Sequence, residues 1–176
     1  RSGSDTASRR RATARRAAAT PLAATEKATP KAVELMVHPI QAAREIRETL
    51  HQARLAGVQA DYLAVDVDDR DAIAAAVSPW RERITGVVHG AGIIKDSLIR
   101  EAKGADVTRV LHTKIAGLSG LLDALDGVPL RHIVLFSSTA GFFGNQGQAA
   151  YGMANEALNK VAVSLRSRHP DTAVTA

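Results

Sequence analysis

Three short apolar runs, GVVHG (86–90), HIVLFSS (132–138) and TAVTA (172–176), are separated by two long stretches of helical periodicity, 105–126 and 151–167. A crossover helix returns the chain to the same end of a sheet, so strands joined this way run parallel. Runs apolar at nearly every position read as strands covered on both faces, and the expected class is α/β, a Rossmann-like parallel sheet with flanking helices. Upstream, ADYLAVDV (60–67) reads as another strand, 69–79 as a helix, and Pro30 to Gly57 as a helical pattern with the glycine as its stop. Neither a Walker-type phosphate loop nor a G-x-G-x-x-G loop occurs in the sequence.

Charge separates the start of the chain from the rest. The net charge is +5, and residues 1–50 hold ten Lys/Arg against five Asp/Glu, so the remainder is neutral. Residues 1–31 read as a basic low-complexity insertion or linker with Arg9, Arg10, Arg11, Arg15 and Arg16 clustered, expected to be mobile. Residues 32–176 then form the folded domain. A polyanion-binding arm is the sharper reading of those arginines, but no aromatic side chain is interleaved for base stacking, which argues against nucleic acid as a partner. There is no cysteine, which excludes disulfides and cysteine-ligated metals, and no His/Asp/Glu spacing suggests any other metal. No run of 18 or more uncharged apolar residues exists, so no membrane span is expected and a cytoplasmic protein fits best.

Two places concentrate chemistry. Along 105–126, Val107, Val110, Leu111, Leu118, Leu121, Leu122 and Leu125 form one apolar stripe, and Lys114 lies on it. A lysine there either snorkels to water or is retained for chemistry. The second place is the end of the strand at Ser137 and Ser138, followed by a glycine-punctuated loop and a helix with Tyr151 in its first turn. Tyr151, Asn155, Leu158, Ala162 and Leu165 share a face of that helix. In open parallel sheets the loop after a strand's carboxyl end is where ligands bind, and Ser138 sits at such an end.

Together these residues resemble the short-chain dehydrogenase/reductase family, and within it the ketoreductase domains of polyketide and polyunsaturated-fatty-acid synthases. The match rests on GVVHGAGIIKDSLI (86–99), LHTKIAGLSGLLDAL (111–125) and LFSSTAGFFGNQGQAAYGMANEALN (135–159), with 13 residues from serine to tyrosine and four from tyrosine to asparagine. In ordinary family members lysine stands four after the tyrosine and asparagine on the preceding helix; synthase ketoreductases exchange the two, as Lys114 and Asn155 do. The stretches REIRETL (44–50) and AGVQADYLAVDV (56–67) look like the polyunsaturated-fatty-acid and enediyne synthase type, whose domains carry a variable insertion where the basic segment lies.

The resemblance implies NADPH as cofactor, a β-ketoacyl thioester tethered to an acyl carrier as substrate, and other synthase domains as neighbours. It assigns Tyr151 as proton donor, Ser138 as hydrogen-bond donor to the carbonyl oxygen, Lys114 as the cation beside the phenol and a contact of the nicotinamide ribose, and Asn155 as the holder of a proton-return group. A free phenol has a pKa of about 10, hence the need for a cation to stabilise its phenolate. Cofactor contacts are implied for Asp66 and Val67, for His89, Gly90, Ala91 and Gly92, and for Arg1 at the 2'-phosphate. Substrate contacts are implied for Gln148 and for Asp96, which ends an imperfect version (Ile94, Lys95, Asp96) of the Leu-Asp-Asp motif of 3R-forming enzymes. The family's first strand and glycine-rich loop have no counterpart here, so the chain is expected to be an internal fragment, inactive alone. The alternatives are a free-standing reductase of a small ketone or alcohol, against which the lysine–asparagine exchange argues, and a non-catalytic piece with a basic arm.

Overall fold

The computed structural model describes residues 29–176. Arg1 and almost all of the basic segment lie outside the described residues. The chain divides into two units, meeting between Tyr62 and Leu63.

In the first unit, α1 spans Pro30–Leu55. Proline at the first helical position lacks only a donor that would be unpaired anyway, and the Thr29 hydroxyl accepts from the Ala32 amide at 3.3 Å. The helix ends where expected: Gly57 has φ of +72°, a left-handed conformation that glycine adopts without strain.

The second unit runs α2 (Arg70–Val77), β1 (Gly86–His89), α3 (Gly104–Leu111), a π turn (His112–Ala116), α4 (Gly117–Ala124), β2 (His132–Leu135), α5 (Thr139–Phe143), α6 (Ala149–Arg168) and β3 (Ala173–Thr175). Asp69 caps α2 by accepting from Ala72 at 2.9 Å. The three strands form one parallel sheet in the order β1-β2-β3, with Val87 opposite Ile133 and Ile133 opposite Val174. The long helix expected over 105–126 is present, but with the π turn in its middle. The glycine-punctuated loop holds one more short helix, α5.

Two expectations need correction. Residues 60–67 form no strand: they pair with no other segment among the described residues, and extended backbone without a neighbour has no ladder to hold it. Also, among the described residues of this unit, the buried strand side chains lie on one face of the sheet. Ile133, Leu135 and Val174 pack against Leu118, Leu158, Ala162 and Leu165, which makes the core. On the opposite face Val88 is 66% exposed and Phe136 60%. Helix α2 packs beside α4, where Gly120 lets Arg70 and Ile73 come close.

Candidate active site

The carboxyl ends of β1 and β2 meet the π turn, and Lys114 lies between them. Its side chain does not snorkel: the residue is 5% exposed and its ammonium donates to the Phe136 carbonyl at 2.9 Å. Burial pushes the ammonium pKa below its ordinary value. The π turn itself is a departure from the α-helical ladder of a kind that recurs at functional sites. Gly92 passes beside the lysine stem, where a Cβ would stand 3.3 Å from Cε and 3.4 Å from Nζ.

Ser138 has extended backbone and caps α5, its hydroxyl oxygen accepting from the Ala140 amide at 3.2 Å. The hydroxyl proton remains available to donate. Tyr151 is half-buried in the first turn of α6. Helices α5 and α6 approach to backbone contact: a Cβ on Gly152 would meet the Ala140 carbonyl at 2.9 Å, and one on Gly141 the Glu156 amide at 2.9 Å. Asn155, fully buried, donates from Nδ2 to the Tyr151 carbonyl at 2.8 Å, and its own carbonyl accepts from Ser137 Oγ at 3.1 Å. Its side-chain oxygen has no partner, and a buried acceptor left so calls for a donor such as a water.

On the other side of the Tyr151 helix start, two loops are stitched together. Gln148 donates to Asp96 at 3.1 Å and accepts from Asn145 at 2.9 Å, while the Ser97 amide donates to the Gly147 carbonyl at 2.8 Å. A cavity of about 340 Å³, lined by Leu98, Ile99, Arg100, Asn145, Gln146, Gly147 and Ala149, adjoins this seam. A second cavity of about 1030 Å³ lies at the amino ends of the strands, beside Thr85, Arg131 and Thr172, away from Ser138.

The residues expected near a cofactor lie as follows. Asp66 is exposed and accepts from the Asp68 amide at 3.0 Å, and Val67 packs where Gly117 leaves room. Gly90, Ala91 and Gly92 continue from β1 as a loop. His89 is turned inward, 5% exposed, so its imidazole faces the helix layer instead of the loop. Sequence reasoning missed Asp68, which accepts from Thr113 Oγ1 at 3.3 Å and pairs with His112 at 3.5 Å; the acidic run Asp66, Asp68, Asp69 was its only signal. It also missed the Phe136 carbonyl, which no side-chain pattern reveals.

The family model described as KR domain matches residues 9–175. The chain belongs to the KR domain family. A polyunsaturated fatty acid synthase polypeptide of Thraustochytrium sp. is 41% identical over 143 residues, 79% of this chain and 5% of that one. Polyketide synthase PksL of Bacillus subtilis is 40% identical over 106 residues, 58% of this chain and 2% of that one. Among solved structures, a ketoreductase domain from the bacillaene assembly line superposes with a TM-score of 0.65 at 32% identity, covering 69% of this chain and 30% of that one. The chain thus spans a small part of each relative. Its sheet and helices are those of a Rossmann-like ketoreductase of the short-chain dehydrogenase/reductase type. No described helix is long and apolar enough to cross a membrane.

Proposed function

We propose that this KR chain is the reacting half of an NADPH-dependent β-ketoacyl thioester reductase within a larger synthase. The observation that carries the reading is the buried Lys114 ammonium fixed beside the strand end that leads to Ser138, with Asn155 tied to the Tyr151 carbonyl one turn earlier in α6, where α5 and α6 come into backbone contact.

A nicotinamide bound at the carboxyl edge of the sheet would supply hydride to the carbonyl carbon. The residues present fit its ribose end: Lys114 has two ammonium protons beyond the one given to Phe136, and Gly92 keeps the approach beside it free of a side chain. Pyrophosphate is held in such folds by a glycine-rich loop and a helix N-terminus, and the sequence contains no such loop. That grip, with the strands that would cover β1's free edge, belongs to the remainder of the domain. Asp66 and Val67, with Gly90, Ala91 and Gly92, are proposed to line the adenosine.

Tyr151 gives its phenolic proton to the ketone oxygen as negative charge develops there. Ser138 donates a second hydrogen bond to the same oxygen, the preorganised stabilisation that is usually worth most in carbonyl chemistry. Lys114, its ammonium buried, stabilises the phenolate left behind in a medium where a charge pair acts far more strongly than in water. Asn155 Oδ1, lacking a partner, holds the water through which Tyr151 regains a proton. Gln148 and Asp96 shape the side from which the thioester enters, next to the 340 Å³ cavity.

The test is the complete ketoreductase domain assayed with NADPH and a β-ketoacyl thioester. Tyr151→Phe is expected to lower turnover by about 100-fold or more while NADPH affinity stays within about threefold, because only the proton donor is lost. Loss of both in step would make Tyr151 structural and remove the reading.

A further inference from the structure

His89, buried on the helix-facing side of β1, has no part in the chemistry above. Its Nε2 lies 2.8 Å from the Lys114 carbonyl. That carbonyl can only accept, so Nε2 carries the proton. The Lys114 ammonium in turn donates to the Phe136 carbonyl at 2.9 Å, and the Phe136 amide donates to the His89 carbonyl at 2.9 Å. The three residues therefore close a ring of hydrogen bonds that joins the end of β1, the end of β2 and the π turn.

We propose that His89 is a positioning residue for Lys114, holding the lysine backbone at the π turn through the imidazole so that its ammonium reaches the strand end below Ser138. The role rests on the reductase reading above, and it extends that reading to a side chain that is turned toward the helix layer. Geometry explains why a tie is needed. A π turn carries one residue more than the helix around it, so Lys114's place along the axis is set less firmly by the ladder than that of its neighbours. A lysine also has four rotatable bonds, and its charge must be delivered to one point in a buried place. Fixing both ends, the carbonyl by His89 and the ammonium by Phe136, removes that freedom.

Burial, more than the neighbouring Lys114 charge, lowers the imidazole pKa, which favours the neutral donor at physiological pH. Lys114 is the charged group that lies against His89, and burial lowers the ammonium pKa while Phe136 accepts one of its protons. Asp68 pairs with His112 and accepts from the hydroxyl of Thr113, one residue before Lys114.

The experiment uses the complete domain in two measurements. Nitrogen-15 NMR of the histidines is expected to show His89 as the neutral Nε2–H tautomer through pH 6 to 8; an Nδ1–H tautomer, or free titration across that range, would overturn the ring. In kinetics, His89→Leu is expected to lower kcat about tenfold or more and to move the midpoint of the pH profile for hydroxyacyl oxidation upward by about one unit, since the cation no longer stands where the phenolate forms. His89→Gln, whose amide can donate from nearly the same place, is expected to restore both. Equal kcat losses in the two variants with an unmoved pH midpoint would mean that His89 only packs, and would sink the proposal. If wild-type domain reduces no ketone, the reductase reading fails, while the tautomer measurement still decides whether His89 holds Lys114.

Discussion

The two faces of the sheet carry similar residues and meet different fates. On one, Val87, His89, Ile133, Leu135 and Val174 are buried beneath α4 and α6; on the other, Val88 and Phe136 stand in the open. A strand meant to face water alternates apolar with polar, and these do not, so both faces are built to be covered. The difference teaches where the chemistry can be anchored. Lys114, Asn155 and the helix that presents Tyr151 all belong to the covered side, where packing can hold a side chain to one position.

The largest expected effect separates the faces directly. Leu158, fully buried, should cost about 3 to 4 kcal/mol when cut to alanine, through lost burial and the cavity left behind. Phe136→Ala should change the stability of this chain by no more than about 0.5 kcal/mol, and that of the complete domain by several times as much if further structure covers the ring there. Urea unfolding of both variants in both proteins measures this. Equal costs for Phe136→Ala in chain and domain would break the comparison.

A smaller effect concerns the one histidine on the covered face. Its pKa is lowered by folding from 6.5, so between 6.5 and the folded value the unfolded chain takes up a proton that the folded one refuses. Stability is therefore complete above pH 6.5 and falls as the pH drops through that window, with a slope of at most about 1.4 kcal/mol per pH unit from this residue. His89→Gln should flatten that part of the stability curve, as followed by thermal unfolding at pH 5 to 7.

Much of the covered side was legible in the sequence. The strands 86–89 and 132–135, the stripe on which Lys114 lies and the shared face of Tyr151 and Asn155 follow from periodicity, because burial on one side leaves a period in the residues. The strand expected at 60–67 did not form, since an apolar run records a preference for burial and says nothing about whether a partner is there to pair with it. The π turn and the His89–Lys114–Phe136 ring were not legible either. All three acceptors in that ring are backbone carbonyls, two met by side chains and one by the Phe136 amide, and which carbonyl a side chain meets depends on three-dimensional register. Likewise, the bond from the His89 ring to the Lys114 carbonyl leaves no mark in the sequence, although alternation along β1 turns that ring inward.

The central claim is that this chain holds the reacting groups while the grip on the cofactor's phosphates lies in the rest of the domain. Isothermal titration with NADPH of the 176-residue chain and of the complete domain, side by side, tests it most directly. The account predicts micromolar binding by the complete domain and affinity at least about 100-fold weaker for the chain, because the backbone donors that seat the pyrophosphate are missing from it. Micromolar binding by the chain alone would contradict it.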